Sequence, residues 1–142
     1  MAITQDYLLR QLISLAAAIR EALRKRIEKQ DAQVLDATSE AIDIALGIDS
    51  ETLLRMDPAS FVSMMRLVDV DPEAAAWVAA ALEIQSEQHA VSDNAALSAL
   101  RFAQAEAVRR GYDVERSIEE LLDVEYANPD ADDTSRASDE DR

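Results

Sequence analysis

The 142-residue chain has no cysteine, a single histidine and only two glycines. Without cysteine it has neither a disulfide framework nor a thiolate metal site. One histidine cannot supply a multi-histidine metal centre, and two glycines exclude a glycine-rich phosphate-binding loop. Long uncharged runs are also missing, because no stretch reaches the ~18 apolar residues that a membrane span needs. We therefore expect no cofactor and no membrane segment.

Negative charge dominates among the residues that are present. The chain has 29 acidic and 14 basic residues, which give a formal net charge of -15 and a pI near 4.3. The basic run from Arg24 to Lys29 is interpreted as neutralised by carboxylates within the fold. An acidic surface repels nucleic-acid phosphates and anionic lipids, so we expect no direct binding to nucleic acid or membrane. This charge suits a basic protein or peptide partner, a cation or simple solubility. The missing cysteines and secretory signal favour a cytoplasmic location.

Apolar residues recur with helical spacing along most of the chain, and no segment alternates as a strand does. The pattern predicts an all-α fold of five to seven helices, with a single helical domain over residues 1-126. The first helix is predicted from Thr4 to Lys29, with an apolar arc wider than one neighbouring helix needs. Its length of roughly 39 Å exceeds that of a ~30 Å bundle, so we expect a homodimer through this helix.

Turn and capping residues divide the remainder into shorter helices. Gly47 is placed to end the second helix, and Asp57-Pro58 and Asp71-Pro72 have the preferences of two helix starts. The penultimate helix is predicted to end at Gly111, and the last to span Val114 to Glu125. The inward face of the penultimate helix is predicted to consist of Ala96, Leu100, Ala103 and Ala107.

The C-terminal residues 127-142 differ in composition from the rest of the chain. Residues 128–142 contain six acidic and two basic residues, and no residue larger than alanine that could join a core. This composition predicts an acidic disordered tail. Two interpretations stay open: a solvated terminal extension, or a segment that attracts a basic partner.

The segment around Trp77 resembles the first helix of a tetratricopeptide hairpin, with Ala81 as the small residue four positions later. The next helix matches the small-large-small triplet of that family through Ala96, Leu100 and Ala103. The resemblance implies closely packed antiparallel helices in a short tetratricopeptide-like bundle. A weaker copy around Thr38 lies 58 positions before Ala96, whereas the family repeats every ~34 residues.

Two further segments resemble small bacterial proteins of a family without assigned function, which are often labelled tetratricopeptide-like. They are QDYLLRQL (Gln5 to Leu12) and ALGID (Ala45 to Asp49). The resemblance implies a bacterial protein, and it brings no reaction and no catalytic residues.

The polar residues form no recognisable catalytic or metal-binding pattern. His89 lacks a nucleophile and an orienting carboxylate at suitable spacing, so it is interpreted as structural. Glu83 and Glu87 share a helix face, but the Glu-x-x-His pattern of di-iron bundles is missing because Ser86 stands three positions before His89. Asp69 begins a calcium-loop-like alternation that lacks the required glycine and glutamate. We therefore expect a protein that is not an enzyme and holds no metal.

These patterns favour a helical protein-interaction module that binds a peptide or helix in an interhelical groove. Methionine-rich apolar faces can be adaptable binding surfaces, although they also suit a core. The predicted partner groove consists of Phe61, Met64, Met65 and Trp77. The alternative function is an acidic mimic of nucleic acid that sequesters a basic DNA- or RNA-binding protein.

Overall fold

The computed structural model describes residues 2–126, with side chains from Asp6 onward, and the predicted tail at 127-142 lies outside them. These described residues form six α-helices: α1 (Ala2–Ile27), α2 (Asp31–Leu46), α3 (Pro58–Leu67), α4 (Pro72–Val91), α5 (Ala95–Tyr112) and α6 (Ile118–Leu122). A 3₁₀ turn, Leu53–Arg55, lies between α2 and α3. No strand is present in residues 2–126, which confirms the all-α prediction of five to seven helices.

Helix α4 lies at the centre of the bundle. Every residue from Ala74 to Leu82 is buried, because α1, α2 and α5 all pack against this helix. A helix that is apolar on all sides is typically surrounded by neighbours in this way. Six of those nine buried residues are alanine, and their small side chains let the surrounding helices approach closely.

Helices α1 and α2 form a pair on one side of α4. The apolar side of α1 that faces the interior is buried at Leu12, Leu15 and Ile19. Far from the turn that connects the two helices, Gln11 Nε2 on α1 donates a hydrogen bond of 2.9 Å to the Ile44 carbonyl on α2. Because α1 has 26 residues and α2 has 16, the first turns of α1 extend past the end of α2.

The two helix starts predicted at Asp57-Pro58 and Asp71-Pro72 and the helix stop predicted at Gly47 are confirmed. The Asp57 carboxylate accepts a hydrogen bond from Ser60 N at 3.1 Å, and the Asp71 carboxylate accepts one from Glu73 N at 2.8 Å. Each aspartate is followed by proline in the first helical turn. Gly47 ends α2 with a φ of 72°, a left-handed conformation that glycine adopts without steric cost.

The predicted inward face of α5 is wrong by about one residue position. The buried residues of this helix are Arg101, Gln104, Ala105 and Val108. Ala96 is exposed, and the other three predicted residues are only half-buried: Leu100, Ala103 and Ala107. The difference arises because Arg101 and Gln104 find hydrogen-bond partners inside the protein, whereas apolar periodicity assigns such residues to the surface.

The predicted stop at Gly111 is also wrong. Helix α5 continues through Gly111 to Tyr112, and Asp113 then adopts a left-handed φ of 52°. A Cβ atom at position 111 would lie 2.9 Å from Val62 Cγ1. Glycine at this position therefore allows α3 to approach α5 closely.

Helix α6 is shorter than the predicted span of Val114 to Glu125. Ser117 and Glu120 form a reciprocal capping box that fixes its start at Ile118, four residues after Val114. The helix ends at Leu122, and Leu121 is its one fully buried side chain. The earlier part of the predicted span, from Val114 onward, is not helical.

The last described residues are held against the start of α4. The Tyr126 hydroxyl donates to Glu73 Oε2 at 2.6 Å and accepts from Trp77 Nε1 at 3.0 Å. Arg116 also pairs with Glu73. Burial, followed by the contact with Glu73, raises the pKa of Tyr126 to about 12. The packed part of the chain therefore extends through Tyr126.

Candidate functional site

The predicted groove residues lie mostly inside the protein. Phe61 and Met65 on α3 and Trp77 on α4 are at most 1% exposed, and Met64 is half-buried. Helix α3 packs against α5, whereas the Trp77 ring contacts Tyr126 at a centroid distance of 6.5 Å. Three of the four side chains therefore leave almost no surface for a partner to contact.

An open cleft lies elsewhere, between the C-terminal half of α2, the 3₁₀ turn and α5. Its volume is about 530 Å³, and Leu54, Leu97 and Leu100 contribute apolar surface to it. Three carboxylates and two guanidinium groups also line it: Asp43, Asp49, Glu51, Arg55 and Arg101. The cleft thus combines apolar surface with charges of both signs.

Two carboxylates shape the loop that borders the cleft. Asp43 Oδ1 accepts a hydrogen bond of 2.7 Å from Ser50 N, and Asp49 Oδ1 accepts one of 3.0 Å from Glu51 N. Glu51 forms an exposed ion pair with Arg55 at 3.2 Å. Asp43 therefore ties the loop after Gly47 to α2. The carboxylates of Asp43, Asp49 and Glu51 form the acidic rim of the cleft.

Arg101 forms the buried end of the cleft. Its side chain is 8% exposed, and its guanidinium group reaches three different structural elements. The Nε atom donates to Gln85 Oε1 at 2.8 Å, while Nη1 donates to the Leu54 carbonyl at 2.7 Å and to Gln104 Oε1 at 3.2 Å. These bonds connect α5 to α4 and to the 3₁₀ turn.

A second layer of hydrogen bonds holds the partners of Arg101. Gln85 Nε2 donates to Thr38 Oγ1 and to Ser39 Oγ, both at 2.9 Å on α2. Gln104 Nε2 donates to the carbonyls of Leu54 and Met56 at 3.1 and 2.9 Å. Because each amide is oriented from two sides, the guanidinium position is fixed before any ligand arrives.

Arg101 has no carboxylate partner within ion-pair distance among the described side chains. Two other arginines that cross between elements do have one: Arg26 pairs with Glu87, and Arg109 pairs with Glu83, both at 2.6 Å. Burial lowers the pKa of Arg101, and no neighbouring carboxylate raises it. The cleft therefore ends at a buried cation whose charge the described residues leave uncompensated.

The remaining candidates from the sequence have structural surroundings. His89 is 9% exposed and does not line the cleft, and its pKa is lowered by burial and then by the charge of Arg101. Glu83 and Glu87 form the ion pairs with Arg109 and Arg26. Within the basic run, Arg24 and Lys25 also pair with Glu21 and Glu28, so the interpretation of internal neutralisation is confirmed for these residues.

Sequence reasoning missed Arg101, Gln85 and Gln104 because it treats polar side chains as exposed. One signal was available. Positions 101, 104, 105 and 108 follow the i, i+3, i+4, i+7 spacing of a buried helix face. Reading that spacing with Arg101 and Gln104 included gives the observed face of α5.

The described residues contain no group of three or more histidine, aspartate or glutamate side chains placed to hold a metal ion. No helix within residues 2–126 is long and apolar enough to cross a membrane. No protein-family model matches the sequence, and neither a curated protein nor a solved structure is significantly similar to it.

Proposed function

We propose that the protein is a non-enzymatic helical interaction module that binds a peptide segment in the cleft between α2, the 3₁₀ turn and α5. The proposal rests on the cleft itself, which has a volume of about 530 Å³ and is open to solvent. Peptide-binding modules use apolar contacts for affinity and charged contacts for orientation. The leucines and the charged groups of this cleft supply both.

The charge of the rim favours a partner segment with a basic residue. Asp43, Asp49 and Glu51 all line the cleft, and the whole chain carries a net charge of -15. A positive patch on a partner would be attracted over several ångströms before contact, which speeds association at low ionic strength. We place this activity in the cytoplasm of a bacterial cell, and we take the α4–α5 hairpin as the tetratricopeptide-like part of the bundle.

The test is selection from a displayed library of random peptides of about 12 residues, followed by affinity measurement. In Leu97→Trp, a larger side chain fills part of the cleft. We expect selected peptides to bind this variant at least roughly tenfold more weakly than the parent. Ala96→Trp is the matched control, because Ala96 is exposed on the same helix and does not line the cleft. Peptides that bind both variants equally, or no selected peptide at all, would overturn the proposal.

The proposal includes a homodimer through α1. Tyr7 and Ile27 are 68% and 83% exposed, and they lie near opposite ends of this helix. Because the side-chain direction rotates by about 100° per residue along a helix, these two residues point to different sides. The dimer contact would therefore use one end of α1 rather than its whole length. Light scattering at about 10 μM, with and without added salt to screen repulsion, is expected to give twice the chain mass. A mass of 15.6 kDa under both conditions would contradict the dimer.

A further inference from the structure

Arg101 has unused hydrogen-bond donors, and the role given to them here rests on the proposed function of the cleft. A guanidinium group has five N–H donors. In Arg101, the N–H of Nε bonds to Gln85, and the two N–H groups of Nη1 bond to Leu54 and Gln104. The two N–H groups of Nη2 have no acceptor among the described residues.

Nη2 lacks a partner in the described part of the chain and is not fully buried, and Arg101 lines the open cleft. The rest of the side chain is enclosed, since only 8% of Arg101 is exposed. Two N–H donors and a positive charge are therefore presented at the buried end of the cleft.

Burying a cation without an anionic partner is unfavourable, and an anionic ligand removes that cost. The chain contains 29 acidic residues, yet no described carboxylate lies within ion-pair distance of Arg101. Three carboxylates nevertheless line the cleft, at Asp43, Asp49 and Glu51. They repel a doubly charged phosphate more strongly than a singly charged carboxylate, and they attract a cation placed beside it.

We propose that Arg101 Nη2 binds a carboxylate of the peptide that occupies the cleft, and that the acidic rim binds a basic side chain of the same peptide. The ligand is therefore a segment of mixed charge, with its negative group at the buried end. Its carboxylate comes either from an aspartate or glutamate side chain or from the free C-terminus of the partner. Both sources present the same planar oxygens to the guanidinium group.

The two sources are separated by the form of the library. One random library displays peptides with a free C-terminus, and the other displays the same peptides joined to a carrier at both ends. If binding peptides come only from the first library and share the same position for their last residue, the carboxylate is that of the free C-terminus. Selection of aspartate or glutamate from both libraries indicates a side chain. In either case we expect lysine or arginine nearby in the selected peptides.

The decisive measurement changes the ligand and leaves the protein unaltered. A selected peptide is compared by calorimetry with its carboxamide form, either Glu→Gln or Asp→Asn in the peptide or a C-terminal amide. We expect the carboxamide to bind at least roughly tenfold more weakly, because the guanidinium group then faces an uncharged amide oxygen instead of a carboxylate. The ¹⁵N signals of the Arg101 guanidinium group are expected to shift with the carboxylate peptide and to stay in place with the carboxamide.

A protein-side cycle completes the test. Arg101→Gln is expected to bind the two peptide forms with equal affinity, whereas Arg110→Gln, an exposed position on the same helix, is expected to keep the preference. If Arg101→Gln does not fold, the ligand comparison and the guanidinium signals still decide. Equal binding of both peptides to the parent protein, with sensitivity to Leu97→Trp retained, would overturn the role of Arg101 alone. Absence of any cleft-dependent peptide would overturn the proposed function as well.

Discussion

The Tyr126 hydroxyl takes part in two hydrogen bonds of opposite direction, to Glu73 and from Trp77. Tyr126→Phe removes both and leaves the indole N–H and one carboxylate oxygen of Glu73 without that partner. We expect a loss of about 1–3 kcal/mol in the free energy of unfolding, measured by urea denaturation. Tyr7→Phe is the control, because Tyr7 is 68% exposed. Equal stability of the two variants would contradict the importance of these bonds.

The lowered pKa of His89 leads us to predict that the free energy of unfolding depends on pH. Its ordinary pKa of 6.5 is lowered in the folded protein by burial and by Arg101, so the unfolded chain binds more protons in the interval between the two values. Stability therefore falls as the pH decreases through about 6.5 toward the folded pKa. His89→Gln is expected to remove this part of the dependence between about pH 7.5 and 5.5, a range in which ordinary carboxylates stay ionised. Identical pH profiles of parent and variant would contradict the shifted pKa.

The structural role of a single residue was predictable from the sequence where that residue acts on its close neighbours in the chain. Asp57, Asp71 and Gly47 act on backbone atoms within a few positions, so their capping roles follow from residue type. Arg101 is buried for a different reason. Two of its three acceptors belong to residues 16 and 47 positions away, on α4 and in the 3₁₀ turn, so no single helical segment contains all of them.

At the scale of the helix, α5 shows how buried polar residues lead to a wrong prediction of the buried face. Moving one position along a helix rotates the direction of the side chain by about 100°. The predicted and observed faces of α5 differ by about this step, because the prediction skipped Arg101 and Gln104. In helix α4, alanine and aliphatic residues fill almost the whole first half, and buried polar residues such as Gln85 occur only in the second half.

The rotation of α5 can be tested with alanine substitutions on its two sides. Ala105 is 1% exposed, whereas Ala99 is exposed on the same helix. Ala105→Leu is expected to overpack the interior and to lower the free energy of unfolding by about 1–3 kcal/mol. Ala99→Leu is expected to change it by less than about 0.5 kcal/mol. Ala103→Leu should fall between them, because Ala103 is half-buried. A larger loss for Ala103→Leu than for Ala105→Leu would restore the face predicted from the sequence.

For the whole molecule, composition and periodicity predicted the helical class but not the cleft. The helical class depends on local spacing and on caps, which each segment carries by itself. The cleft forms where residues from α2, the 3₁₀ turn and α5 meet, and their separation in sequence reaches about 60 positions, from Ser39 to Arg101. The predicted groove instead selected large apolar residues, and three of those four complete the core.

The boundary at residue 126 leads to a prediction about two truncated proteins. A chain ending at Tyr126 lacks residues 127-142, which contain six acidic and two basic residues and no large apolar side chain. Its melting temperature is expected to stay within about 5 °C of the parent value, a shift that corresponds to roughly 1 kcal/mol for a chain of this size. A chain ending at Glu125 also lacks the tyrosine that bonds to Glu73 and Trp77, so we expect it to melt clearly lower. Thermal circular dichroism of the two proteins side by side is the measurement. A large drop already in the longer protein would mean that residues 127-142 pack on the bundle, and equal melting of both would mean that Tyr126 contributes little to it.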